Sequence, residues 1–207
     1  MANRFGQAYG FTALTAILSG EAETGATHDA ALRRELARLN TGESPFADLP
    51  TTHLARWVIL PEAPFESIPA KVDHFQSKYL LFTSNFDGGA DADDVALGRY
   101  LESMRVSIPD VLARVYSHCV GFPGVRDAGA FAAYFKSAQV KTTFLFGAYA
   151  NATVDQVLRA LVAQRRVGDF IVEHQERRSS PAELQAAFGA LRASLTAAPT
   201  PRPGRFL

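Results

Sequence analysis

Two nine-residue runs constrain this chain most: THLARWVIL at 52–60 and KYLLFTSNF at 78–86. Both are rich in β-branched, aromatic and aliphatic residues. Pro61 stops the first and Asp87-Gly88-Gly89 closes the second, so both are predicted to be strands. Side chains alternate between the faces of a strand, which splits each run in two. In the first run Leu54, Arg56, Val58 and Leu60 share one face, and His53, Ala55, Trp57 and Ile59 the other. In the second, Leu80, Phe82, Ser84 and Phe86 oppose Tyr79, Leu81, Thr83 and Asn85. No face is polar enough to be left in water as a wide patch. Helices are expected to cover one side of the sheet, and a second sheet or a ligand the other.

The rest of the chain alternates in the same way. Residues 9–18 read as a first strand and 21–40 as an amphipathic helix carrying Ala31, Leu32, Leu36 and Leu39. The proline-bearing stretch 62–71 reads as an irregular connection. A helical region spans 93–118, with Pro109 in the position that starts a second helix, and 128–138 is a short helix. KTTFLFGAY at 141–149 reads as a fourth strand. Thr153 caps a long helix, and Ser180-Pro181-Ala-Glu183 opens a last one. This order predicts an α+β fold: a ferredoxin-like βαββαβ antiparallel sheet with extra C-terminal helices. It forms one domain over 1–195 and a proline-rich tail over 196–207.

Composition removes several functional classes. Of 207 residues, 21 are basic and 21 acidic, which argues against a broad nucleic-acid surface. No run reaches the roughly 18–20 apolar residues of a membrane span. The single cysteine, Cys119, cannot form an internal disulfide, so a reducing, cytoplasmic location is expected. The apolar stretch 11–18 is short and lacks a small-x-small site, so the N-terminus reads as mature and uncleaved.

THLARWVIL, KYLLFTSNFDG, YSHCVGFPG and FLFGAYANATV together resemble a family of bacterial proteins related in fold to dimeric α/β barrels, some of which accompany haem peroxidases. The resemblance spans most of 9–170 and carries no catalytic signature. It implies a homodimer whose sheets face one another around a cavity for a small apolar or aromatic molecule. It also implies haem as a candidate cofactor and a peroxidase as a candidate partner. Three activities follow as expectations: a haem-dependent oxidoreductase of peroxidase or monooxygenase type, a non-catalytic accessory module, or a cofactor-free monooxygenase.

On the haem reading His118 is the axial ligand, because imidazole is the usual proximal group and this histidine ends the helix before the last core strand. The alternative for His118 is a cap on that helix C-terminus. Arg56 reads as an anion partner for a ligand carboxylate, or as half of a salt bridge with Asp87 or Glu62. Asn85 reads as a polar pocket group, with the Asn85–Gly89 stretch serving equally well as a turn. Cys119 reads as a small buried apolar group. Asp91, Asp93 and Asp94 lack calcium-loop order. His28, His74 and His174 have no zinc-like spacing.

Overall fold

The computed structural model of the chain describes residues 3–39, 43–61, 68, 77–149, 151–175, 177 and 179–204. A two-residue strand, β1 (Arg4–Phe5), turns at Gly6 (φ 60°) into β2 (Ala8–Ala16). Helix α1 (His28–Leu39) starts later than the expected 21–40. Gly25 takes a positive φ of 72° in a turn closed by the Glu21–Thr27 bridge, and this interrupts the helix pattern. The two apolar runs form β3 (Thr52–Leu60) and β4 (Tyr79–Asp87). The expected connection 62–71, apart from Ile68, lies outside the described residues, as does His74.

Helices α2 (Asp93–Ser107) and α3 (Pro109–Tyr116) meet at Ile108, where Pro109 cannot continue the first helix and begins the second. They are followed by α4 (Ala128–Ser137), α5 (Val154–His174) and α6 (Pro181–Ala197). Thr153 and Ser180 cap these last two helices as the sequence predicts, each in a reciprocal capping box, with Gln156 and Glu183. Beyond α6 the tail is held through residue 202. Thr200 donates to Asp155, and Arg202 pairs with Glu43 at 2.9 Å and Asp48 at 2.5 Å.

The sheet is antiparallel in the order β1-β2-β4-β3, giving an α+β fold. Tyr9, Phe11 and Ala13 of β2, Leu80, Phe82 and Phe86 of β4, and Ala55, Trp57 and Ile59 of β3 turn toward α1–α4. There they meet Leu32, Leu97, Leu101, Leu112, Phe131 and Phe135 in one core. Aromatic pairs dominate it: Phe86 stacks on Tyr100 at 3.9 Å, and Phe11 meets Phe82 and Phe135 edge-on.

One expected strand does not form. Residues 141–149 carry no strand, so the order βαββαβ lacks its last β among the described residues. The place beside β2 that such a strand would take is already filled. Gly10 N–H bonds Asn3, Leu14 N–H bonds Ala138, and Val140 N–H bonds Thr12, while Leu18 and Val120 link β2 to the turn after α3. Thr142 N–H then bonds the Asn3 side chain, and the chain crosses the open face with Leu145 set against Gly10.

Candidate functional site

The sheet face turned away from α1–α4 has a clear register. Gly10, Asn85 and Leu54 lie in one row, Thr12, Thr83 and Arg56 in the next, and Leu14, Leu81 and Val58 in a third. Alternation in the sequence already placed Arg56 and Asn85 on strand faces, and the pairing puts both on this one. Arg56 Nε donates to Thr83 Oγ1 at 2.9 Å, and the guanidinium is otherwise exposed. The expected Arg56–Asp87 salt bridge does not form, and Glu62 lies outside the described residues. Arg56 and Asn85 line a shallow groove of about 480 Å³ with Leu54 and Thr83.

Asp87 instead binds His53, which alternation in the sequence groups with Ala55, Trp57 and Ile59. His53 Nε2 lies 2.7 Å from Asp87 Oδ1, and the other carboxylate oxygen accepts Val154 N–H at 3.1 Å, in the first turn of α5. Strict alternation groups His53 with Trp57, but the β3–β4 register slips between Thr52 and Leu54. This bulge leaves His53 out of the ladder and frees it from the alternation. The slip is why periodicity missed it. Asp87, expected in a turn, is the last residue of β4, and Gly88-Gly89 makes the turn, with Gly89 at φ 64°.

His53 and Asn85 also line an apolar groove of about 290 Å³ with Phe5, Leu145, Phe146 and Tyr149. Phe5 and Phe146 rings pack at 5.8 Å. Phe146 and Tyr149 are 68% and 75% exposed, so this wall stands open to solvent. The Asn85 amide makes no hydrogen bond among the described residues, and His53 makes none besides that to Asp87.

His118 lies elsewhere. Its carbonyl accepts Leu18 N–H, and its Nδ1 lies 3.0 Å from His28 Nδ1 at the start of α1, on the helical side of the sheet. Thr12, level with Arg56, is six residues from Leu18 along the chain, about 20 Å of extended strand. Burial, and then the neighbouring His28, push the His118 imidazole below its ordinary range, with Glu35 opposing. The ring does not cap α3, which ends at Tyr116 with Ser117 after it.

The remaining candidates are structural. Burial pushes the Cys119 thiol up to about 11, against a weak contact with the Thr15 hydroxyl at 3.5 Å, which favours the neutral thiol over the thiolate. Asp93 pairs with Arg4 at 3.0 Å, Asp94 with Lys136 at 3.5 Å, and Asp91 with Arg99. The acidic cluster therefore carries its own counter-charges. Among the described residues no three metal-ligating side chains converge, and no helix is long and apolar enough to cross a membrane.

Haem was expected on His118 and Arg56 together. The ring is held through Nδ1, as an axial histidine is. But His118 lines none of the grooves described above, and Arg56 and Asn85 face away from it across the sheet. These three residues do not fit one haem. No family model, curated protein or solved structure matches the chain.

Proposed function

We propose that the chain binds a small apolar or aromatic molecule with a polar head against the open face of its sheet. A second copy, applied by the same face, closes that site. The single observation that carries the reading is the groove beside His53. Its walls are Phe5, Leu145, Phe146 and Tyr149, and its polar groups, the Asn85 amide and the His53–Asp87 pair, are few and clustered. That combination is the usual make-up of a small-molecule site.

The cover is argued from the same face. Leu14, Leu81, Val58, Leu60 and Tyr79 are only half-buried there, and Leu54 is 68% exposed. A contiguous apolar surface of this kind marks an interaction site. The elements β2, α1, β3 and β4, with β4 between β2 and β3, supply the first part of the ferredoxin-like order. Sheet-to-sheet pairing is the dimeric α/β barrel arrangement that the motif resemblance implies. Haem chemistry is no part of this proposal, because the residues expected to hold haem do not converge.

Native mass spectrometry of the wild type and of Leu81→Glu tests the cover. The wild type is expected as a dimer and the variant as a folded monomer. A wild type that stays monomeric at about 50 µM, well above the Kd of a specific dimer, overturns the pairing. The groove is tested separately, by ligand-induced NMR shifts at Leu145 and Phe146.

A further inference from the structure

We propose that His53, oriented by Asp87, is a general base that removes a proton from carbon next to the carbonyl of a ligand in this groove, with Asn85 stabilising the oxyanion that forms. This rests on the binding reading above and adds a reaction to it. Three observations converge. The β-bulge releases His53 from the strand alternation, and bulges recur where a side chain must be re-aimed at a site. Asp87 is fixed at its second oxygen by Val154 N–H, at a helix N-terminus where negative charge is stabilised. Its bond to Nε2 therefore sets the tautomer: Nε2 carries the proton, and Nδ1 keeps a lone pair free to accept one.

The chemistry of the neighbours narrows the reaction. No serine, threonine or cysteine of the described residues hydrogen-bonds to His53, so among them the pair meets no protein nucleophile, and in the proposed step the proton comes from the ligand. Asn85 is the second clue. Its amide is half-buried, lines the same groove and is without a hydrogen bond, so it is a donor available to a carbonyl oxygen. In the step, the C–H bond beside the carbonyl breaks and its proton passes to Nδ1. The C–H pair becomes the new C=C bond, and the carbonyl π pair moves to the oxygen, where Asn85 Nδ2 donates to it. Return of the proton to either carbon or oxygen regenerates the base. No oxidant, reductant or second substrate is consumed, so the net reaction is exchange or tautomerisation.

Phenylacetone is a suitable probe: aromatic, neutral and enolisable. The full chain is incubated with it in D2O, and loss of the benzylic CH2 signal is followed by NMR. In parallel, amide and methyl shifts at Leu145 and Phe146 report binding. The expected result is exchange accelerated about 100-fold or more over buffer, as positioned general bases achieve. It should fall at least 30-fold in His53→Gln at a probe concentration where shifts at Leu145 and Phe146 still show the groove occupied. Glutamine retains a donor for Asp87, which protects the fold, and Asn85→Ala should give a drop of about 10- to 100-fold by an independent route.

For Asp87, a positioning residue, the readout is the nitrogen-15 shift of His53. It should show protonated Nε2 in the wild type and lose that bias in Asp87→Asn. Binding without accelerated exchange overturns the base while leaving the binding reading intact. Exchange unchanged in His53→Gln does the same. No shifts at Leu145 or Phe146 at millimolar probe overturns both.

Discussion

Two tyrosines with buried hydroxyls make a matched test of which hydroxyls hold this core together. Tyr100 is 2% exposed, and its ring stacks on Phe86 with planes only 5° apart. Its oxygen lies 2.6 Å from Ser84 Oγ and accepts from Thr52 Oγ1 at 3.3 Å. Ser84 and Thr52 are themselves buried, and neither hydroxyl has another partner among the described residues. Tyr100→Phe keeps the ring and its stacking, removes one oxygen and strands two buried hydroxyls. An unsatisfied buried group costs about 1–3 kcal/mol. The two hydroxyls can partly satisfy each other, so the expected loss is about 2 kcal/mol. In a chain of this size that lowers Tm by about 4–8 °C.

Tyr134 is the control. Its hydroxyl is buried and makes no hydrogen bond of normal geometry, although Thr15 lies near enough to act against the burial that pushes its pKa up. Tyr134→Phe removes an oxygen that already lacks a partner, so its expected effect is within about 0.5 kcal/mol, with gain as easy as loss. Urea unfolding followed by the fluorescence of Trp57, the only tryptophan, reads both variants as shifts in midpoint at unchanged slope. Equal losses in the two variants, or a larger loss for Tyr134→Phe, would refute the reasoning from hydrogen-bond geometry.

Two further outcomes follow from contacts described above. The native His118 imidazole titrates below the unfolded value of about 6.5, so folding favours its neutral form. The stability it contributes is complete above that pH and is lost as pH falls through the unfolded value toward the native one, a fall that His118→Asn should flatten in pH-dependent unfolding; an unchanged slope in the variant sinks the assignment. A Cβ on Gly10 would meet Leu145 at 3.1 and 3.2 Å, so Gly10→Ala should be close to neutral alone but stabilising by about 0.4–1 kcal/mol in a Leu145→Ala background; additive effects in that double-mutant cycle would mean that Leu145 does not sit there.

The parts of this fold that were legible are those governed by local chemistry. Strands 52–60 and 78–86 announce themselves by alternation and by their stops at Pro61 and Gly88-Gly89. Thr153, Ser180 and Pro109 mark helix starts because the orphan N–H groups of a first turn need an acceptor or no donor. What was not legible depends on competition between distant segments. Residues 141–149 have strand composition, but the place beside β2 is taken by Asn3, Ala138 and Val140. The pair β1 is too short to show any period. The site follows the same division. Alternation supports Arg56 and Asn85 on strand faces, and register alone makes those faces one. His53 escaped because a single slipped residue inverts the expected side. His118 was joined to the site by resemblance, and the sheet separates it from Arg56.

The filling of β2 has one more consequence. An extended peptide arriving on that flank finds the donors and acceptors near Gly10, Leu14 and Leu18 already engaged. The other margin is β3, with the exposed cation of Arg56 at its middle and Pro61, which has no N–H, at its end. A charge and a proline are what natural sheets place where recruitment of a neighbour would be harmful. The lateral margins are therefore guarded while the broad side stays sticky, so the pairing proposed above would stack sheets instead of lengthening them into a fibril.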